Sequence, residues 1–210
     1  MKILIANQKG GVGKTSLAIL LANYLKYKKG MRVMGLDFDF QASFYNQWET
    51  DLKVIGSDDP YKVGKASLAN ARTTLGNMDS YPETIFILDS PGKTDDKQVL
   101  ELFTNIDLLI CPFTYERKTF RSTYAFTKIV KHVNPDVRML FVPNRIKTVA
   151  KYKLRERVRE ALGTFGDVYQ HDISERVCME RINFFATTRE QAEITEGFFD
   201  YIISQYALNK

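Results

Sequence analysis

The chain is poor in cysteine and proline and has no long hydrophobic run. Its two cysteines, Cys111 and Cys178, are far apart and lack the paired spacing of a metal site, so both are expected to be buried thiols. Six prolines, with no proline-rich, repeated or low-complexity tract, predict a single domain over residues 1–210. The longest apolar run, 106–113, is far shorter than a bilayer span. With no visible signal peptide, these features lead us to expect a cytoplasmic protein.

Positive charge is in slight excess and is concentrated in one segment. The formal net charge is +5, from 30 Lys and Arg against 25 Asp and Glu. The segment from Arg145 to Glu160 holds seven cations and two anions, which accounts for the whole excess. A local excess of this kind is typical of a surface that binds a polyanion.

Apolar segments alternate with amphipathic segments along the chain. Strands are predicted at 2–7, 32–37, 84–89, 106–113 and 137–142, with a short edge strand at 167–170. Helices are predicted at 15–28, 97–104, 119–132, 151–162 and 189–205. Segment 43–81 is the least readable, with helices expected near 44–50 and 65–75. This alternation predicts an α/β fold with a mostly parallel, twisted sheet and helices on both faces.

A glycine-rich loop follows the first predicted strand and precedes the first predicted helix. It reads Lys9-Gly10-Gly11-Val12-Gly13-Lys14-Thr15, followed by Ser16. Such a loop points its backbone N–H groups inward, and the positive end of the following helix favours phosphate. Lys14 is expected to neutralise the β- and γ-phosphates, the Thr15 hydroxyl to bind Mg²⁺, and the Ser16 hydroxyl to reach the α-phosphate. Gln8 occupies the first glycine position of the usual P-loop pattern, so the match is not strict.

Two further strands end in carboxylates. Asp37 and Asp39 are two residues apart at the end of the second strand and can face the same side. Asp89 ends the third strand, as in a Walker B motif, where it would hold Mg²⁺. Because parallel strands place their carboxyl ends at one edge, these groups are expected to meet the glycine-rich loop. For Asp39 a solvated turn, and for Asp89 a cap on the next loop, are the plainer alternatives.

With these three motifs in place, the sequence resembles the ParA and MinD family of deviant Walker A ATPases, whose mark is the additional lysine, here Lys9. The resemblance implies a P-loop NTPase fold in which Lys9 reaches the phosphates of the partner in a nucleotide-sandwich homodimer. It also implies that Asp39 orients the attacking water, that Asp37 supports the Mg²⁺ shell, and that Asn144 contacts adenine. For Asn144 an ordinary turn asparagine after Pro143 is the alternative. Phe40 replaces the proline of the family's D-x-D-P-Q motif, which puts the local turn in doubt.

The resemblance, closest to compact plasmid-partition proteins without an N-terminal DNA-binding domain, implies an ATP- and Mg²⁺-dependent switch. Hydrolysis would be slow and stimulated by a ParB-like or other centromere-binding adaptor. The ATP-bound dimer would bind DNA without sequence preference and be associated with the nucleoid. The alternative is a MinD-like membrane-associated positioning ATPase. The acidic residues around 190–200 argue against the membrane.

The basic segment is the predicted DNA-binding surface. On a helix over 151–162, the side chains of Lys151, Lys153, Arg155 and Arg159 would lie on or beside the exposed face. A solvated helix with local ion pairs is the alternative. Arg117, Lys118 and Arg121 are candidates for the dimer interface or for DNA, and the sequence does not decide between the two.

Overall fold

A single seven-stranded parallel sheet forms the centre of the molecule, in a computed structural model that describes residues 1–54, 59–92 and 97–206. The strands are β1 (Lys2–Ile5), β2 (Arg32–Asp37), β3 (Lys62–Lys65), β4 (Thr84–Asp89), β5 (Leu108–Phe113), β6 (Arg138–Pro143) and β7 (Asp167–Val168). Their order is β3-β2-β4-β1-β5-β6-β7. The predicted fold class is confirmed, including the short strand at one edge.

Seven α-helices cover the sheet within the described residues. They are α1 (Lys14–Asn23), α2 (Ser43–Val54), α3 (Ala71–Met78), α4 (Lys97–Leu100), α5 (Arg117–Val133), α6 (Arg155–Gly163) and α7 (Arg189–Tyr206). A π-helical turn, Tyr24–Lys28, continues α1. One hydrophobic cluster joins the sheet to α1, α2 and α7, and a second joins its other face to α3, α4, α5 and α6.

The central strands are apolar along their whole length because helices cover them on both sides. All four residues of β1 and all six of β5 are buried. Strand β1 lies between β4 and β5, with Ile5 opposite Asp89 and Ile110. Strand β2 runs in register with β4 and places Asp37 opposite Asp89. The sheet therefore brings the P-loop and the two carboxylate-bearing strand ends to one edge.

Segment 43–81 contains the main errors of the sequence prediction. Helix α2 extends from Ser43 to Val54, beyond the predicted 44–50. Strand β3 was not predicted, because only Val63 of its four residues is buried and no alternation is visible. The helix predicted at 65–75 is instead a short 3₁₀ turn, Leu68–Asn70, followed by α3.

The helix predicted at 151–162 begins only at Arg155. Lys151 and Lys153 lie in the preceding loop and are exposed. Cys111 is buried as expected, whereas Cys178 is partly exposed, so the prediction of a buried thiol is wrong for Cys178.

Candidate functional site

The P-loop connects β1 to α1 at the carboxyl edge of the sheet. Gly11 and Gly13 have φ angles of 76° and 86°, which L residues with side chains rarely adopt. A Cβ on Gly13 would also overlap the Asn144 side chain. Both the positive φ angle and this close approach therefore require glycine at position 13. The predicted strand, loop and helix arrangement is therefore present.

The Walker B carboxylate lies directly beside the P-loop threonine. The Thr15 hydroxyl donates a hydrogen bond to Asp89 Oδ2 at 2.6 Å. The other oxygen, Asp89 Oδ1, is buried and has no hydrogen-bond partner among the described residues. Burial raises the pKa of the Asp89 carboxyl to about 7, opposed by the Thr15 hydrogen bond and by the charge of Lys14.

An unpartnered buried oxygen beside a threonine hydroxyl is a suitable place for a cation and its water. Among the described residues no group of three or more His, Cys, Asp or Glu side chains is able to hold a metal ion on its own. Magnesium prefers oxygen ligands and usually takes several of them from phosphate and water. Thr15 and Asp89 would thus suit a Mg²⁺ ion that arrives with a nucleotide. The bound ion would neutralise part of the phosphate charge.

Lys14 is held inside the site. Its ammonium is the atom closest to a Cβ built on Gly92, at 3.6 Å. Burial lowers the pKa of Lys14, while the charges of Asp89 and Asp39 oppose that effect. A desolvated ammonium among carboxylates is well placed to bind an incoming phosphate oxygen.

Asp37 binds backbone amides with both oxygens. Its Oδ1 accepts from Asp39 N at 2.9 Å, and its Oδ2 accepts from Tyr45 N at 3.0 Å. Burial raises the pKa of Asp37, and these amides oppose the shift. Asp37 therefore positions the following turn and the first turn of α2, and its place in the Mg²⁺ shell stays a prediction.

Asp39 lies in a tight turn at the rim of the site. Its Oδ1 accepts from Gln41 N at 3.0 Å, and its carbonyl accepts from Ala42 N at 2.9 Å. Ala42 has a φ of 50°, and the neighbouring Phe40 side chain is 102% exposed. Phe40 therefore does not pack in this turn, and the role of Asp39 in orienting water stays a prediction.

Asn144 and Arg145 hold the P-loop from the side of β6. Asn144 Nδ2 donates to Val12 O at 2.8 Å, and Arg145 Nη1 donates to Gly11 O at 2.9 Å. Arg145 also pairs with Glu175 at 2.8 Å and has a φ of 56°. The sequence patterns marked Arg145 only as a charge and gave no sign of Glu175. The pair Asn144-Arg145, which follows the fifth predicted strand, was the only indication of this contact that the sequence offered.

A cavity of about 290 Å³ opens beside the P-loop. Thr15, Ser16 and Asn144 line one part of it, and Arg176 and Ile182 lie on another. Its position next to the start of α1 suits the base and ribose of a nucleotide whose phosphates lie in the loop. The predicted contact of Asn144 with adenine is compatible with this cavity.

Asn7 is a further residue that sequence analysis missed. It is fully buried at the start of the P-loop. Its side-chain amide donates to Pro112 O and to Thr123 Oγ1, both at 2.8 Å. Its Oδ1 accepts from Lys9 N at 3.0 Å. Asn7 thus joins the P-loop to β5 and α5.

Lys9 is exposed at the tip of the loop. Its backbone is fixed by Asn7, but its side chain forms no hydrogen bond or ion pair within the described part of the chain. Gly10 and Gly11 beside it are also exposed. The loop therefore carries one lysine directed into the site and a second that faces outward.

The predicted DNA-binding residues differ in their exposure and in their contacts. Arg155 pairs with Asp172 at 3.0 Å. Arg159 donates to Tyr115 Oη at 2.8 Å and to Tyr169 O at 2.7 Å, and only 13% of its side chain is exposed. The prediction that Arg159 lies on or beside the exposed face is wrong, because these bonds bury it. Lys151 and Lys153 remain exposed.

This fold and this loop define a P-loop nucleotide-binding protein. The family described as "CobQ/CobB/MinD/ParA nucleotide binding domain" matches residues 3–186. The chain belongs to this family. The resemblance inferred from the three motifs is therefore confirmed at the level of the family.

Several solved structures share the fold. A plasmid partition protein from Borrelia burgdorferi B31 bound to AMPPNP is 20% identical, covers 97% of this chain and 98% of its own, and gives a TM-score of 0.72. An ATP complex of a Cyanothece McdA variant is 15% identical over 100% and 97% of the two chains, with a TM-score of 0.78.

Cobyrinic acid a,c-diamide synthase from Mycobacterium smegmatis, with a bound ATP analogue and magnesium, is 19% identical over 97% and 95%, with a TM-score of 0.68. At these identities the likeness shows the fold alone. No curated protein sequence matches the chain.

Proposed function

We propose that the chain is a Mg-ATP-dependent, dimerising ATPase that partitions DNA, binds it without sequence preference in the ATP state, and is stimulated by a centromere-binding adaptor. The observation that carries the proposal is the pair of loop lysines, with Lys14 inside the site and Lys9 facing outward. One lysine serves the bound triphosphate. The other is free to reach the triphosphate of a second copy.

The site residues divide into three tasks. Lys9, Lys14 and Asp39 are the proposed catalytic residues. Loop residues 9–16 and Asn144 bind ATP, with the backbone amides of the glycines around its phosphates. Thr15 and Asp89 hold Mg²⁺, with Asp37 positioning the adjoining turn.

A sizing experiment tests the dimer. The protein is measured by light scattering with ADP and with a non-hydrolysable ATP analogue, and the measurement is repeated for Lys9→Ala and Lys14→Ala. We expect a dimer with the ATP analogue alone. Lys9→Ala should keep nucleotide binding but remain monomeric, whereas Lys14→Ala should lose nucleotide binding by at least about tenfold, because it removes a charge-assisted contact. A Lys9→Ala protein that still dimerises would contradict the proposal.

The similarity to a plasmid partition protein supports DNA as the partner of the ATP-bound dimer. The membrane alternative has less support. In α7 the large apolar side chains are turned inward, since Phe198, Phe199 and Ile202 are all buried. No helix in the described part of the chain is both long and apolar enough to cross a bilayer. Co-sedimentation with anionic liposomes separates the two functions.

A further inference from the structure

One side of helix α5 carries positive charge without any carboxylate. The exposed residues of this helix are Arg117, Lys118, Arg121, Ala125, Lys128 and His132. The sequence of the whole helix contains no Asp or Glu. The nearest carboxylate in sequence, Glu116, is exposed and precedes the first turn.

The exposed cations form one strip along the helix axis. At about 100° per residue, Arg117, Arg121 and Lys128 fall within about 40° of each other, with Lys118 at the border of the strip. The distance along the axis from Arg117 to Lys128 is about 16 Å at 1.5 Å per residue. That length exceeds the roughly 12 Å width of the major groove of duplex DNA, so the strip is long enough to reach several phosphates.

These cations are not neutralised by neighbours. Arg117, Lys118, Arg121 and Lys128 form no ion pair with any residue in 1–54, 59–92 or 97–206. Lys128 lies over the ring of Tyr124 at 4.8 Å, which leaves its charge in place. By contrast, Arg145, Arg155 and Arg159 in the basic segment of the sequence all have carboxylate partners.

We propose that this strip, Arg117, Lys118, Arg121 and Lys128, is the surface through which the protein binds the phosphates of duplex DNA. The inference rests on the proposed function and assigns its DNA contact to α5 in place of the basic segment 145–160. Binding through such a surface is electrostatic, blind to sequence and sensitive to salt.

The composition of the strip favours nucleic acid over a membrane. A helix that lies in a bilayer interface needs exposed apolar side chains to insert. None of the large exposed hydrophobic residues in the described structure belongs to α5. Its apolar residues, such as Phe126 and Val130, are buried against the sheet.

The strip is also physically joined to the nucleotide loop. Asn7 donates to Thr123, which lies on the buried side of α5 between Arg121 and Lys128. The Asn7 side chain also accepts a hydrogen bond from the backbone N–H of Lys9. Asn7 therefore connects the nucleotide loop to α5 through a single side chain.

The test compares three variants that each remove three positive charges. The first is Arg117→Gln with Arg121→Gln and Lys128→Gln. The second, on the basic segment 145–160, is Lys151→Gln with Lys153→Gln and Arg157→Gln. The third is a matched control at exposed positions of β2, α2 and β3, namely Arg32→Gln with Lys53→Gln and Lys62→Gln. Affinity for DNA is measured by fluorescence anisotropy with a labelled duplex of random sequence. The measurement is made in the presence of the non-hydrolysable ATP analogue and repeated at several salt concentrations.

We expect the α5 variant to lose at least about tenfold in affinity and to reduce the salt slope by about 3, one for each phosphate contact. The matched control should stay within about twofold. A protein with Arg117→Lys and Arg121→Lys should keep most of the binding, because charge and not a fixed hydrogen-bond geometry carries it. Unchanged ATP affinity and melting temperature establish that the variants are folded.

Other outcomes overturn the assignment in distinguishable ways. If the variant of the basic segment 145–160 loses binding and the α5 variant keeps it, the surface is wrong and the DNA-partition function stands. Equal losses in all three variants mean that net charge, not a surface, governs binding. If the wild-type protein dimerises with ATP but does not bind DNA, the assignment and the DNA part of the proposed function both fail. Binding to anionic vesicles that the α5 variant loses, with no binding to DNA, would assign the strip to membranes instead.

Discussion

Asp89 holds a buried carboxylate of which only one oxygen has a partner. Burying a charged group without full compensation costs free energy, and the raised pKa of about 7 expresses that cost. The unfolded chain would release this proton at lower pH than the folded protein. The folded state is therefore penalised increasingly as pH rises from the ordinary carboxyl range to about 7, and by a constant amount above it.

Asp89→Asn removes this penalty, since the amide has nearly the same shape and no charge. Without nucleotide, we expect the variant to be more stable than the wild-type protein at pH 8 by about 1–3 kcal/mol, and by less at pH 5. Thermal unfolding at the two pH values measures the difference. Asp136→Asn, at an exposed position, is the control and should change neither value. A variant that is less stable at pH 8 would contradict the explanation.

The same substitution should impair the site. A neutral amide lacks the charge that Mg²⁺ requires at this position. Calorimetry of Mg-ATP binding is expected to show at least about a tenfold loss of affinity for Asp89→Asn, because charge-assisted contacts to the ion are removed. ATP binding in excess EDTA should be nearly equal in the two proteins. A loss that persists without Mg²⁺ would assign Asp89 a role other than metal binding.

Much of the site at this scale is visible in sequence because each motif is contiguous. The order of glycines and lysines from Lys9 to Thr15 and the acidic ends of β2 and β4 need no knowledge of distant contacts. Arg145, Glu175 and Asn7 are different, because their partners lie far away along the chain. Whether a buried asparagine binds a loop or a base depends on side-chain geometry that no spacing rule contains.

At the scale of the elements, the approach of α2 to β2 depends on one glycine. A Cβ on Gly35 would lie 2.6 Å from the ring of Phe44 and 3.0 Å from Val63. Phe44 is fully buried and is a member of the core cluster that includes Phe184. The ring is therefore not free to move away from β2.

Gly35→Ala is expected to destabilise the protein by about 1–3 kcal/mol, because overpacking forces the Phe44 ring or the backbone to shift. Gly64→Ala, on the neighbouring strand β3, is the matched control. A Cβ there meets nothing within 4 Å among the described atoms, so its effect should be small. Chemical denaturation of the two variants measures the difference. Equal stabilities would show that the Phe44 ring adapts freely.

Arg159 attaches helix α6 to the body of the protein, so its side chain does not lie on the exposed face of that helix. Removing the guanidinium in Arg159→Gln leaves Tyr169 O and the Tyr115 hydroxyl with fewer partners. We expect a loss of stability of about 1–3 kcal/mol with no change in affinity for DNA. Arg157→Gln, at an exposed position of the same helix, should change stability by less than about 0.5 kcal/mol. Loss of DNA binding without loss of stability in Arg159→Gln would restore the earlier prediction.

The contrast between α5 and α6 shows where prediction from charge fails. Counting charges selected the segment around α6, because it contains seven cations within sixteen positions. The fold places Asp172 and Glu175 beside that segment, and these two carboxylates form ion pairs with three of its arginines. The cations of α5 are fewer and more widely spaced, but no described carboxylate pairs with them. Which carboxylates lie near a basic segment depends on contacts made by the folded chain.

At the scale of the whole molecule, the long buried strands were the most predictable feature and β3 the least. Long apolar strands covered on both faces are recognisable as continuous runs, as β4, β5 and β6 show. Strand β3 has four residues, of which one is buried, and it is held by pairing with β2 rather than by its own pattern. Such an edge strand has no hydrophobic periodicity to detect.

The two borders of the sheet also affect how the protein behaves when it is heated or concentrated. Unpaired strand edges can recruit further chains into extended β-aggregates, and short or lysine-bearing edges resist this. Here one border is the four-residue β3 with Lys62 and Lys65 at its ends, and the other is the two-residue β7. We therefore expect heated protein to precipitate as amorphous material through its exposed core, without the dye-binding, ordered fibrils that grow from long bare strands.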